Sequence, residues 1–173
     1  GVDNAAPFSF FNVFGEDPPI VILGLQSKNC GDQKDTTSNI RESNEFVVQL
    51  VDEKLAQAMN NCAVDFPKNI SEFDITKLSR AKCKRVDVCR ILEAPIAFEC
   101  RRTLILQLNE TRDLAIGEIL YMHARDGIID PQSLNLNLSK YDIIGRLFGD
   151  LYAPIRESFS LTRLDHSEWL KKK

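Results

Sequence analysis

The chain is poor in histidine and tryptophan, in paired cysteines and in long apolar runs, and each shortage excludes something. Its two histidines, His123 and His166, stand alone. The five cysteines, Cys30, Cys62, Cys83, Cys89 and Cys100, are an odd number with no CxxC pair. A structural zinc site normally presents close-set ligand pairs, so no metal site is expected. The pattern reads as free thiols in a reducing cytoplasm. Cys62 and Cys100 fall on apolar faces and read as small hydrophobes, whereas Cys30 sits in a polar loop and reads as exposed. No apolar run approaches the roughly 20 residues that a bilayer span requires, and the first residues carry no signal-peptide pattern. The phosphate-cradling motifs GxGxxG and GxxxxGKS/T are absent, as is the GxSxG elbow of hydrolases. The formal charge of −3 gives no global pull toward nucleic acid or anionic membrane.

What is present is an ordinary globular composition. With 173 residues, 43% hydrophobic and 27% charged, the chain fits a single domain that needs no staples to bury a core. Phe8, Phe10, Phe11 and Phe14 crowd the first segment, which alternates too poorly for a solvent-facing strand. Pro18-Pro19 bars a helix and leads into Ile20 to Leu25, apolar on both faces and read as a buried strand. Gly24 inside it signals a close backbone approach or a bulge. After a polar loop, Asp35 or Thr36 can cap a short helix ending near Asn44. Glu45 to Val51 reads as a strand. A helix capped by Asp52 then presents Leu55, Ala58, Met59 and Cys62 on one stripe. Residues 64 to 95 read as an irregular surface excursion anchored by Phe66, Phe73, Ile75 and Leu78.

Beyond Pro95 the period is two. Ile96, Phe98, Cys100, Leu104, Leu106 and Leu108 fall on one face, and Glu99, Arg101, Thr103, Gln107 and Asn109 on a solvated one. Leu114 to Ala124 returns to complete a hairpin, with His123 on the face of Ile119 and Tyr121. Asp126-Gly127 marks a turn. Residues 129 to 140 read as loop or short helix, and Gly145 to Tyr152 is punctuated by glycine. Phe159, Leu161 and Leu164 offer a last strand or docking segment. Long antiparallel strands with short helices favour a β-barrel over a doubly wound sheet.

Two places suggest chemistry. Lys34-Asp35-Thr36-Thr37 opens a helix, where free N–H groups and the helix dipole favour an anion such as a phosphate monoester. The same residues also suit a plain capped helix with a solvated lysine. Ala6-Pro7-Phe8-Ser9-Phe10-Phe11-Asn12 sets hydroxyl and amide groups among aromatics, as a slot for a planar heteroaromatic ring would. It equally suits core phenylalanines, with Ser9 and Asn12 satisfying local backbone. His123 reads either as a packed side chain or as a catalyst. Glu99 and Glu118 have no evident partner.

Taken together, the segments resemble the flavin reductase family with the FMN-binding split-barrel fold, which includes reductase components of two-component monooxygenases and flavoredoxin-like proteins. The resemblance rests on Asn4 to Asn12 (NAAPFSFFN), Asp17-Pro18-Pro19, Lys34-Asp35-Thr36, Asn39-Ile40 and Glu45-Phe46-Val47-Val48. It continues through Pro95 to Cys100, Gly117-Glu118, His123, Gly145-Arg146-Leu147, Gly149-Asp150 and Tyr152-Ala153. It implies a mainly β, Greek-key split barrel with short flanking helices, one domain over residues 1–173 with 156–173 as a C-terminal extension. It also implies a cytoplasmic homodimer that binds FMN, or alternatively FAD, and oxidises NADH or NADPH. Pro7, Ser9, Phe10 and Asn12 then run beside the isoalloxazine and ribityl chain. Ser27, Lys34, Asp35 and Thr36 take the phosphate, and His123 and Tyr152 lie near the flavin or the nicotinamide entrance. A monooxygenase component or other acceptor is the implied partner, with no nucleic acid and no membrane. The alternatives are an FMN-binding electron carrier without a nicotinamide site, or a non-catalytic flavin-binding protein. Two departures stand out. The family's N-terminal strand is not represented before Asn4, and Phe148 replaces a small residue where it could narrow the nicotinamide side.

Overall fold

The computed structural model describes residues 2–28 and 32–171. Cys30 and Gly31, and with them the expected exposure of Cys30, lie outside the described residues. Nine strands follow one another among the described residues: β1 (Phe11–Glu16), β2 (Pro19–Gln26), β3 (Glu45–Gln49), β4 (Arg80–Ala81), β5 (Arg90–Ile91), β6 (Ile96–Asn109), β7 (Arg112–Ala124), β8 (Ile144–Arg146) and β9 (Tyr152–Pro154). The helices are α1 (Asp35–Ser43), α2 (Ala56–Asn61), α3 (Glu72–Thr76) and α4 (His166–Leu170), with a 3-10 turn at Leu138–Lys140. None of the described helices is long and apolar enough to cross a membrane.

The chain is mainly β, with one antiparallel sheet ordered β1-β2-β7-β6-β3 and two small hairpins, β4-β5 and β8-β9. The expected barrel closure is not found: the sheets of the described residues stay open, with β1 and β3 at the edges of the large one. The first segment also differs from its reading, because Phe11–Glu16 pairs with β2 as a largely exposed edge strand. Pairing to a long neighbour supplies the stability that its irregular side-chain pattern lacks. Gly24 shows the close approach that its position suggested. Its N–H donates to Phe10 O at 2.8 Å, and a Cβ there would stand 3.0 Å from Phe10 Cβ.

The main core lies between the sheet and α1. Val21, Leu23 and Leu25 of β2, Ile40, Phe46, Val48, Cys100 and Ala115 form it, with Phe8, Phe98, Ile105 and Ile119 packed alongside. A satellite core of Cys62, Phe73 and Leu78 sits under α2 and α3, against Leu55 and Ala58. Phe73 and Leu78 therefore anchor the 64–95 excursion as expected, whereas Ile75 points outward at 51% exposure. The second helix starts later than its reading: Asp52 closes the preceding turn by accepting from Leu55 N at 3.1 Å, and Leu55 is the N-cap. No strand forms at Phe159 and Leu161, which are exposed, and Leu164 precedes the short α4.

The β6–β7 pair is where the period-two reading breaks. Register shifts skip Leu120 on β7 and both Thr103 and Leu108 on β6. Each extra residue exchanges the two faces beyond it. Ile105, not Leu104 or Leu106, therefore reaches the core, and Leu104, Leu106 and Leu108 stand about half exposed. The skip at Leu120 likewise separates Ile119, on the core face, from Tyr121 and His123 on the other. That other face is not solvated along its whole length. The excursion folds over its near half, and Glu99 is 0% exposed.

Candidate functional site

The N-terminal segment crosses the molecule as a strap, held by side chains rather than by a ladder. Ser71 Oγ donates to Asp3 O at 2.6 Å. Asn4 Nδ2 and Ala5 N both donate to Glu72 Oε2, at 3.3 and 3.0 Å. Arg80 Nε meets Asp3 Oδ2 at 2.7 Å and its Nη1 meets Asp74 at 2.8 Å. Thr36 Oγ1 donates to Asn4 Oδ1 at 2.7 Å, which ties the strap to α1.

Between this strap, α1, β3 and the β8–β9 hairpin lies a cavity of about 720 Å³. That is within the roughly 300–1,000 Å³ of small-molecule sites. Its walls include Pro7, Ser9, Thr36, Phe46, Arg146 and Tyr152. Arg146 links the two ends of this set. Its guanidinium lies 5.7 Å from the Tyr152 ring centroid, its Nη1 reaches Ser9 Oγ at 3.4 Å, and Nε and Nη2 donate to Gly149 O.

The start of α1 borders the cavity at Thr36. Neither Asp35 nor Thr36 caps the helix: Lys34 is the N-cap, extended at φ −67° and ψ 152°, with no side-chain cap bond. The Thr36 hydroxyl is instead engaged by Asn4. The first N–H groups of the nine-residue helix thus keep their capacity for an anion, with the Lys34 ammonium exposed beside them.

Of the sequence-selected residues, the structure brings Pro7, Ser9, Thr36 and Tyr152 to one cavity. Lys34 and Asp35 stand at its helix end. Phe10 is exposed beside Gly24, and Asn12 Oδ1 accepts from Val13 N at 2.9 Å, satisfying local backbone. Ser27 is half-buried and its N–H donates to Thr111 O at 3.0 Å. Phe148 projects outward at 89% exposure and is not among the cavity walls.

His123 is not among those walls either. Its Nε2 lies 2.5 Å from Glu99 Oε1, on the face of the β6–β7 pair covered by the excursion. Glu99, read from the sequence as solvated and without a partner, also accepts from Lys84 N at 2.7 Å and Arg85 N at 2.6 Å. Burial pushes its carboxyl up, but these N–H bonds and the imidazole hold it below the ordinary carboxylate range. Glu45 Oε2 accepts from Asp87 N and Gln49 Oε1 from Ile91 N, both at 2.7 Å, so side chains of β3 and β6 replace a strand ladder for the excursion. Cys62, Cys83, Cys89 and Cys100 are free, as expected. Burial raises all four thiols, Cys83 and Cys100 to about 12 and Cys89 to about 11, so none is a nucleophile at neutral pH. Glu72, Asn4 and Glu99 escaped prediction as partners because each bonds across at least fourteen residues of sequence.

Comparison with known proteins places these features in a family. The model of the Flavin reductase like domain matches residues 1–145. The crystal structure of Pseudomonas fluorescens 2-nitrobenzoate 2-nitroreductase NbaA superposes with a TM-score of 0.85 at 36% identity, over 94% of this chain and 78% of that one. Nitrilotriacetate monooxygenase component B from Bacillus cereus gives 0.85 at 33% identity, over 93% and 81%. An uncharacterized protein of Deinococcus radiodurans is 34% identical over 168 residues, 96% of this chain and 74% of its own length.

Proposed function

The chain belongs to the flavin reductase-like family, and on that premise we propose that it binds a flavin, FMN or FAD, and reduces it with NADH or NADPH. The observation that carries this reading is the cavity itself, with an uncapped helix start at one end and Ser9, Arg146 and Tyr152 at the other. The residues fit a flavin by their chemistry: apolar walls for a fused ring, hydroxyls for its polar edge, and N–H groups with Lys34 for a phosphate. When bound, the flavin supplies the acceptor for a nicotinamide hydride.

The chain's own contribution is binding and orientation. The α1 N–H groups and Lys34 hold the phosphate. Pro7 and Ser9 line the strap side, Phe10, Asn12 and Ser27 flank it, and Arg146 with Tyr152 closes the far wall. Keeping two rings in contact there lowers the barrier by proximity. Phe148, turned outward, leaves the cavity open within one chain, which supports nicotinamide access. His123 is assigned no hydride-transfer role, because its imidazole is spent on Glu99.

Residues 1–173 act in this reading as one unit that pairs into a homodimer. The half-exposed Leu104, Leu106 and Leu108 support a second subunit covering that strip. A separate acceptor, such as a monooxygenase component, would take the reducing equivalents that a bound flavin would supply. The test is spectroscopic. FMN added to purified protein should show shifted absorbance bands, and anaerobic mixing with NADH or NADPH should bleach them. Bound flavin that neither nicotinamide bleaches would make the protein an electron carrier; no shift would remove the flavin site.

A further inference from the structure

Cys83, Glu99 and His123 are sixteen or more residues apart in sequence, yet their Sγ, carboxylate oxygen and ring nitrogen all lie within 4.8 Å of one another. They come from three elements: the excursion after β4, β6 and β7. Glu99 is fully buried, and the His123 side chain is 15% exposed, which leaves a path from solvent.

As a thiol–carboxylate–imidazole array this group is poorly arranged for nucleophilic chemistry. Glu99, not His123, stands between the other two in hydrogen-bonding terms, and with burial it keeps the Cys83 thiol protonated. What the arrangement suits is a cation. A thiolate and a carboxylate together neutralise a divalent ion, and a neutral site is the kind a low-dielectric interior accepts. Sulfur and imidazole donors favour zinc over magnesium or calcium. Bond lengths near 2.0–2.3 Å set tetrahedral zinc ligands roughly 3–4 Å apart, so the three atoms require shifts of about 1 Å. The Lys84 and Arg85 N–H groups already orient the Glu99 carboxylate from behind.

We propose that Cys83, Glu99 and His123 bind a zinc-class divalent ion, with a water in the fourth position, that pins the excursion to β6 and β7. On uptake the Cys83 thiol proton leaves to solvent, any proton on His123 Nε2 moves to Nδ1 or to solvent so that its lone pair faces the ion, and Glu99 stays ionised. No redox change is involved. The site is separate from the flavin cavity and does not depend on it.

The test uses the full chain, stripped with chelator, incubated with zinc and passed through a desalting column. Wild type and Cys89→Ser should retain one equivalent, with one sulfur in the zinc X-ray absorption spectrum. Cys83→Ser should bind at least about tenfold more weakly. Zinc should raise the unfolding temperature of wild type but not of Cys83→Ser, and circular dichroism without metal checks that both are folded. Substoichiometric zinc in wild type, equal retention by Cys83→Ser, or loss in Cys89→Ser would each overturn the assignment.

Discussion

The hydroxyl of Thr36 donates to Asn4 Oδ1 at 2.7 Å, joining the first turn of α1 to the N-terminal strap. Asn4 passes the connection on to the buried Glu72. The side of the cavity that the flavin reading assigns to the ring is thereby held to the side assigned to the phosphate. Asn4→Ala removes both bonds. FMN affinity should fall by about 0.5–1.5 kcal/mol, the worth of one ordinary hydrogen bond tying strap to helix, since Glu72 keeps its bond from Ala5 N. Fluorescence titration measures it, and an unchanged dissociation constant would uncouple strap from site.

Lys34→Ala combined with Thr36→Ala should weaken FMN binding by roughly 2–4 kcal/mol, as expected for charge-assisted contacts to phosphate. Riboflavin, which has no phosphate, should lose much less. Equal losses for the two ligands would remove the phosphate assignment.

Glu99→Ala should destabilise the chelator-treated protein by about 3–5 kcal/mol, since two backbone N–H groups and an imidazole lose their acceptor. Urea unfolding followed by circular dichroism reads the change. A loss under about 1 kcal/mol would mean that water replaces the carboxylate.

Gly117 faces Phe46, and a Cβ there would lie 2.5 Å from Phe46 Cζ. Gly117→Ala should cost about 1–3 kcal/mol through overpacking, and Phe46→Leu should recover part of it. Urea midpoints of the single and double variants decide this.

Glu93 accepts from Ser79 N through both oxygens, at 3.1 and 3.2 Å. Partial burial raises its carboxyl, but the Ser79 bonds outweigh that and hold it below the ordinary value. A depressed folded-state pKa means stability that is present above the unfolded value, about 4.3, and is lost as pH falls through the folded one. Glu93→Gln should therefore flatten the acid limb of a stability–pH profile while changing little near neutrality. An acid limb of unchanged slope would show that Glu93 does not contribute.

Local pattern was enough to read β2, α1, β3 and the long β6–β7 hairpin, because each is set by contacts between near neighbours along the chain. It also drew attention to Pro7, Ser9 and Thr36, to which the family resemblance added Tyr152, and all four line the cavity. The same pattern misassigned Leu104, Leu106 and Leu108, and put Ile119 on the face of His123. A period of two holds only while the register holds, and the skips at Thr103 and Leu120 are choices of the paired strands together.

The sequence by itself determined the mainly β class, the family and four of the residues that meet at the cavity, Pro7, Ser9, Thr36 and Tyr152, since alternation and motif order are local properties of the chain. Only the tertiary structure decided that the sheet stays open, that the excursion covers the β6–β7 face, and that Glu99 joins His123 and Cys83 there. Burial of a carboxylate depends on donors supplied from elsewhere in the chain, here the backbone of Lys84 and Arg85, and no periodicity around Glu99 encodes their arrival.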